Sequence, residues 1–245
     1  MGTSDRSAAR AAANGHTKLH LGCGMIAPPT WLNVDGSWNA RLQQHPRALK
    51  ALGAVGVLPK RFVDMPWAQN VFIHNLSKPL PWDDGQFEAV YASHLLEHLT
   101  WGDARSLLLE ARRVLAPGGV CRIVVPDLAY LIGEYEARDV EPNPGFFPAD
   151  AAISNADAFV LNMGFKSPLP RPGGLPMRIY ETLFDFHHHK WLYDEESLAT
   201  QMSAAGFVDV GRREFDDSRI SNIQDVELEM RVANGGLCCE GVVPA

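Results

Sequence analysis

The sequence predicts an α/β domain whose central sheet is built from parallel strands. Three observations carry this expectation. A short apolar run, Leu19 to Leu21, leads straight into Gly22-Cys23-Gly24. A second run, Trp31-Leu32-Asn33-Val34-Asp35, follows closely and ends in a carboxylate. Further compact apolar runs then alternate with helical patterns as far as Val210. Strands this uniformly apolar are buried on both faces, as parallel strands are, and intervening helices supply their crossovers.

A chain of 245 residues accommodates one such domain with insertions, or at most two small ones. Its 46% hydrophobic and 21% charged residues make an ordinary globular composition. The formal charge of -7, with no local Lys/Arg cluster to reverse it, argues against a nucleic-acid partner. No apolar run is long enough to span a membrane, and a cytoplasmic location is expected. Cys23, Cys121, Cys238 and Cys239 match no zinc spacing, and the adjacent Cys238-Cys239 pair is a poor disulfide candidate. Small buried thiols in a reducing compartment are the expectation. Residues 1–16 are rich in Ala, Ser and Arg and lack the apolar stretch of a secretory signal. They are expected to form a disordered tail, leaving 17–245 as a single domain.

Along the chain, Pro28-Pro29 resist a long helix after the glycine turn, so the crossover to the second strand is short. Trp38 to Leu52 has helical spacing, interrupted by Pro46, and Gly53 to Gln69 reads as irregular. Val71 to His74 is a strand, followed by a proline-rich loop and the turn Asp83-Asp84-Gly85. Phe87 to Ala92 is the next strand, and Ser93-His94-Leu95-Leu96-Glu97-His98 follows it directly. Thr100 and Asp103 have capping-box spacing and open a helix with Leu107, Ala111 and Leu115 on one face. That helix is expected to end at Pro117-Gly118-Gly119, before a buried strand from Val120 to Val125. Asp127 then caps a helix from Leu128 to Arg138.

From Asp139 to Phe186 seven prolines break the pattern among Phe146, Phe147, Phe159, Met163 and Phe165. A long apolar but irregular insertion in a compact domain, here about 139–190, suggests a lid over a site. A dimerisation arm, with a second copy of the chain as partner, is the alternative. Asp194 caps a further helix carrying Leu198 and Met202 and closed by Gly206; strands at Phe207 to Val210 and Leu237 to Val243 complete the pattern.

Several residue patterns bear on chemistry. Gly-x-Gly after a strand leaves backbone N–H groups bare for a ligand, although an ordinary tight turn looks the same. Asp35, at a strand's carboxyl end, suits both hydroxyls of a ribose, or simply ends the strand. His94 and His98 flank Glu97, but a metalloprotease pattern fails because Leu95 stands where its Glu is required. His187-His188-His189 offers no evident Asp, His or Cys partner set, so no metal is expected.

Strand–Gly-x-Gly, strand–Asp, strand–Ser-His-Leu-Leu-Glu-His, Arg113-Val114-Leu115-Ala116-Pro117-Gly118-Gly119 and Ala205-Gly206-Phe207 fall in one order. This order resembles the class I S-adenosylmethionine-dependent methyltransferases from about Leu19 to Val210, most specifically from Asn75 to Pro126. The resemblance implies a doubly wound, mostly parallel seven-stranded sheet of Rossmann-like type, with a reversed last strand and helices on both faces. It also implies S-adenosyl-L-methionine as cofactor. By position, Gly22, Cys23 and Gly24 would line its methionine part, with His20 at the head of the turn. Asp35 would take the ribose, Asn75 and Leu76 would meet the adenine, and Ser93 and His94 would lie under the sulfonium. Three departures stand out: His20 replaces a common acid, the usual third glycine is absent, and Asn75 replaces a frequent Asp.

The resemblance leaves the acceptor open. A small molecule such as a natural product or a sugar, methylated on O or N, suits the aromatic insertion. His94 is the first choice of general base, followed by His189 and Tyr193 at the end of the lid, whereas Glu97 braces the loop and His98 packs. Two other readings keep the cofactor: a non-catalytic binding protein, and an enzyme transferring a group other than methyl. A nicotinamide enzyme fits poorly, because Pro28-Pro29 interrupt the helix that its glycine motif should open.

Overall fold

The computed structural model describes residues 3–56, 58, 60–64, 67–140, 153–165, 188–233 and 235–245. Most of the expected lid, residues 141–152 and 166–187, lies outside them.

Seven strands form one sheet: β1 (Lys18–Leu21), β2 (Leu32–Asp35), β3 (Val71–Ile73), β4 (Phe87–Ser93), β5 (Leu115–Pro126), β6 (Val208–Arg212) and β7 (Gly236–Val242). Their order is β3-β2-β1-β4-β5-β7-β6. β1 to β5 pair in parallel, and β7 runs antiparallel to both β5 and β6. The chain winds outward from β1 to β3, then returns to lay β4 on the other side of β1. That reversal opens a crevice at the carboxyl ends of β1 and β4, where sheets of this kind bind ligands. Register aligns the strand ends: Leu21 is opposite Val34 on one side and Ala92 on the other. Gly22, Asp35 and Ser93 therefore follow at one level.

The period-2 alternation of strands divides the core between two faces. Leu19, Leu21, Val90 and Ala92 join a cluster with Leu107, Leu108, Ala111, Leu198 and Met202. These come from α5 (Trp101–Val114) and α8 (Glu195–Ala204). The opposite face presents Ala89, Tyr91, Val120, Val124 and Cys238 to Ile220, Ile223, Val226 and Val232. Among the described residues its cover includes the 3-10 turn Ile223–Asp225 and the one-turn helix α9 (Glu229–Val232). Arg122 fastens this thin layer. Fully buried on β5, it donates to both carboxylate oxygens of Glu227 at 2.7 Å and to Glu240 at 3.1 Å. It also donates to the carbonyls of Glu214 and Asp217 at 2.8 Å.

The local signals hold where they are local. Pro46 splits the first helical stretch into α2 (Trp38–Gln43) and α3 (Pro46–Ala54). Thr100, Asp127 and Asp194 accept N-cap bonds from Asp103 N, Ala129 N and Ser197 N. They open α5, α6 (Leu128–Ala137) and α8. All four cysteines are buried free thiols, and burial raises each thiol's pKa, that of Cys239 to about 12.

Four expectations need correction. Residues 1–16 are not a disordered tail: Thr3–Ala13 forms α1, with Ala9 fully buried and its carbonyl accepting from Trp82 Nε1 at 3.0 Å. Its alanine-rich sequence favours helix and lets the backbone lie close to the indole. The stretch read as irregular before β3 holds a short helix, α4 (Lys60–Val63). The insertion also contains a helix, α7 (Asn155–Asn162), closed at its start by a capping box between Ser154 and Asp157. Finally, β5 begins at Leu115 directly after α5, so Pro117-Gly118-Gly119 lie within the strand, with Pro117 and Gly118 exposed and Gly119 buried.

Candidate active site

The site is built at the crevice between β1 and β4. Gly22 and Gly24 both take left-handed backbone conformations, φ 68° and 55°, which side-chain-bearing residues rarely adopt. Gly22 N and Cys23 N donate to Val34 O at 2.8 and 3.1 Å, folding the turn back over the end of β2. A Cβ on Gly22 would meet the Leu95 side chain at 3.1 Å, whereas one on Gly24 would meet nothing within 4 Å. Gly24 thus edges an open cradle. Asp35 holds the turn from the other side: its carboxylate accepts from Gly24 N at 3.0 Å and Ser37 N at 2.7 Å. Each oxygen keeps a further lone pair, which leaves the carboxylate able to accept sugar hydroxyls.

Beyond β4 the backbone turns sharply. His94 sits at φ 50°, its N–H donating to Val124 O at 2.9 Å. A non-glycine residue held there stores strain, a feature that clusters at functional sites. Its Nδ1 lies 3.0 Å from Oε1 of Glu97, which is 0% exposed, while the imidazole itself is 32% exposed. Glu97 stands in the 3-10 turn Leu96–His98, and its own carbonyl accepts from the backbones of Lys190 and Trp191 at 2.6 and 3.3 Å. The backbone of this buried residue thus joins the β4 loop to the segment around Lys190.

The remaining sequence-predicted residues fall in different places. Cys23 is buried behind the glycine turn. Ser93 is buried too, with its hydroxyl 3.5 Å from Arg231 Nη1 on α9. Asn75 is exposed at the end of β3, where its side chain accepts from Ser77 N at 3.0 Å. It borders a cavity of ≈ 1130 Å³ that also takes in Phe72, Lys78 and Arg113 but neither the glycine turn nor Asp35. Leu76 packs in the main core, so only its backbone is left to meet a ligand.

His20 is buried between the rings of Trp31 and Tyr91, at centroid distances of 6.3 and 5.3 Å. Burial pushes its pKa down to about 3, so it is a neutral imidazole and does not replace the missing acid's charge. Its Nδ1 is a buried polar atom with no hydrogen-bond partner among the described residues.

Tyr193 does not belong with the catalytic candidates. It is 0% exposed in the main core, paired through a bridge to Asp127, and burial raises its pKa to about 12. His189, by contrast, reaches the β4 loop: its ring packs edge-on against His98 at 5.1 Å. Sequence reasoning found no partners for the consecutive imidazoles, yet Glu97 and His98 stand beside His189. Arg231 was missed as well; no local pattern marks it, and it reaches Ser93 from 138 residues away.

A doubly wound sheet with a glycine turn and a carboxylate at its switch point defines a nucleotide-cofactor-binding α/β protein. Residues 19–123 match the family model described as a methyltransferase domain. The match covers less than half of the chain, and that stretch resembles the class I S-adenosylmethionine-dependent methyltransferases. The cradle at Gly24 and the Asp35 carboxylate fit S-adenosylmethionine, the cofactor of that class. The uncharacterized methyltransferase sll0829 of Synechocystis sp. is 28% identical over 134 residues, 51% of this chain. The match spans 58% of that relative's length. Among solved structures, phosphoethanolamine N-methyltransferase 2 of Haemonchus contortus has a TM-score of 0.44 at 12% identity, covering 100% of this chain and 53% of its own. The protein described as a methyltransferase in complex with the Haloferax volcanii Trm112 activator has a TM-score of 0.44 at 15% identity, covering 98% and 90%.

Proposed function

We propose that this chain transfers the methyl group of S-adenosylmethionine to a hydroxyl or amine of a small-molecule acceptor, with His94 as general base. The observation that carries the reading is the strained, carboxylate-braced His94 at the mouth of the crevice that holds the glycine turn and Asp35. The cofactor supplies an activated methyl on a sulfonium, with a neutral thioether as leaving group. The protein's part is chiefly alignment, holding the acceptor atom about 3–3.5 Å from the methyl carbon and in line with the sulfur.

Asp35 would grip the ribose while keeping its bonds to Gly24 and Ser37. His94 donates its Nδ1 proton to Glu97, which leaves the Nε2 lone pair to take a proton from the acceptor. Phe159, Met163 and Phe165 in the insertion support a partly apolar acceptor, and the Met163 carbonyl contacts His189. Among the described residues no helix is long and apolar enough to cross a membrane.

The test is incubation of the full chain with isotopically labelled cofactor and a panel of hydroxylated and aminated acceptors, read by mass spectrometry. A product heavier by one labelled methyl supports the reading. Transfer of the aminocarboxypropyl arm, or cofactor bound with no product from any acceptor, favours the other cofactor-dependent readings.

A further inference from the structure

Beside the proposed methyl-transfer geometry, and sharing Glu97 with it, one cluster is built like a ligand site. Glu97, His98 and His189 each offer a donor atom, and these atoms lie within 4.8 Å of one another. Glu97 is fully buried, and its Oε2 has no hydrogen-bond partner among the described residues. A buried carboxylate oxygen left without a partner is costly unless something else satisfies it. Its twin, Oε1, is 4.0 Å from His98 Nε2.

The two imidazoles are oriented as metal ligands are. His98 Nδ1 faces the carbonyl of His188 at 3.3 Å, and His189 Nδ1 faces the carbonyl of Met163 at 2.7 Å. A carbonyl only accepts, so each Nδ1 carries a proton, and Nε2 is the atom through which a neutral ring would ligate. A ring N–H tied to a backbone carbonyl is the usual support for a metal-bound histidine. The His189 ring is also fixed from behind. Gly164, at φ 72°, has His189 Nδ1 only 2.4 Å from where a Cβ would stand, and Gly164 O accepts from His189 N at 2.8 Å. Only glycine admits the ring there.

We propose that Glu97, His98 and His189 form a binding site for a first-row divalent cation, with Zn²⁺ as the preferred ion. Two imidazoles and one carboxylate match the ligand softness of zinc, and three protein donors leave a coordination position open. Small rotations of the side chains bring the donors to the spacing of about 3.4 Å that a tetrahedral ion at about 2.1 Å requires. Glu97 would then bridge the ion and His94. If methyl transfer is the reaction, the open position would be available to the acceptor's oxygen; that role rests on the proposed function, while the site itself does not.

The experiment uses the untagged full chain, stripped with chelator, in the absence of cofactor. Zn²⁺ is titrated by calorimetry, and Co²⁺ by its visible absorption. Binding of one ion per chain, with a tetrahedral or five-coordinate Co²⁺ spectrum, is expected. His98→Ala and His189→Gln are each expected to weaken Zn²⁺ binding at least about 100-fold, since loss of mere supporting residues already costs 10–100-fold. His188→Ala, which keeps the carbonyl that supports His98, is expected to bind as the parent does. Thermal melts establish that each variant is folded, and Glu97→Gln replaces either histidine variant that is not. No stoichiometric ion, unchanged affinity in the His98 and His189 variants, or an equal loss in His188→Ala would overturn the proposal. A separate melting shift with S-adenosylhomocysteine reports on the cofactor site, so failure of one reading leaves the other measurable.

Discussion

His94 Nδ1 and Glu97 Oε1 lie 3.0 Å apart, three residues from each other, at the end of β4. The 3-10 turn Leu96–His98 brings them together, and the left-handed backbone of His94 aims the ring. An α-helix starting at Ser93 would instead have set His94 beside His98. The pairing therefore depends on strain at one residue and burial at the other.

If His94 takes the acceptor's proton, His94→Ala retains cofactor and loses turnover by about 10²–10⁴-fold on a hydroxyl acceptor. Calorimetry with S-adenosylhomocysteine and product formation by mass spectrometry separate the two effects. Turnover within a few-fold of the parent removes His94 from the base role.

Asp35→Ala removes the acceptor of two backbone N–H groups as well as the expected ribose ligand. Hydrogen bonds to a charged group contribute about 1.5–3 kcal/mol each. Affinity for S-adenosylhomocysteine is expected to fall below detection, with a lower melting temperature. Asp35→Asn keeps one acceptor oxygen and should recover part of the melting temperature but little of the affinity. Unchanged affinity in both variants refutes the ribose assignment.

His20 gives the chain an acid-sensitive core. Burial is the main cause of its fall from 6.5 to about 3, opposed by the Asn33 side chain and reinforced by the charge of Arg231. Unfolding frees the imidazole to protonate, so between these two values the unfolded state binds the extra proton. Stability from this group is complete above about pH 6.5 and declines as pH falls towards 3, by up to ~1.4 kcal/mol per pH unit. Urea unfolding of His20→Gln should show a correspondingly shallower acid limb. An identical pH dependence would mean that the imidazole is not neutral in the fold.

Arg122→Met leaves the buried carboxylate of Glu227 without its counterion and that of Glu240 with only Arg213, 3.9 Å away. Breaking a buried network from one side costs about 3–5 kcal/mol, whereas replacing all its members with apolar residues is often neutral. The single variant should unfold at markedly lower urea, and Arg122→Met/Glu227→Leu/Glu240→Leu should recover most of the loss. A single variant as stable as the parent would show that the segment from Glu214 to Glu227 holds to the sheet by apolar packing alone.

Much of the frame was legible because its causes are local. An apolar strand running into Gly22-Cys23-Gly24, a strand ending at Asp35, and the capping residues Thr100, Asp127 and Asp194 each act within a few residues of themselves. Composition misled at the N-terminus: Ala and Ser with few large apolar groups read as a tail, but Trp82, 73 residues on, supplies the surface and the donor that hold α1 down. Tyr193 misled for the same reason, since nothing beside it in sequence announces that its ring faces the core.

From its sequence alone the chain determined its strand succession, its glycine turn and the carboxylate beside it, because β-propensity, glycine's conformational freedom and helix caps operate over a handful of neighbours. Tertiary structure alone decided which distant groups meet. Glu97 and His98 reach His189 across the insertion, and Arg122 reaches Glu227 and Glu240 across 105 and 118 residues. Burial of a charge or an imidazole takes its energy from such partners, and a linear pattern carries no record of who they are.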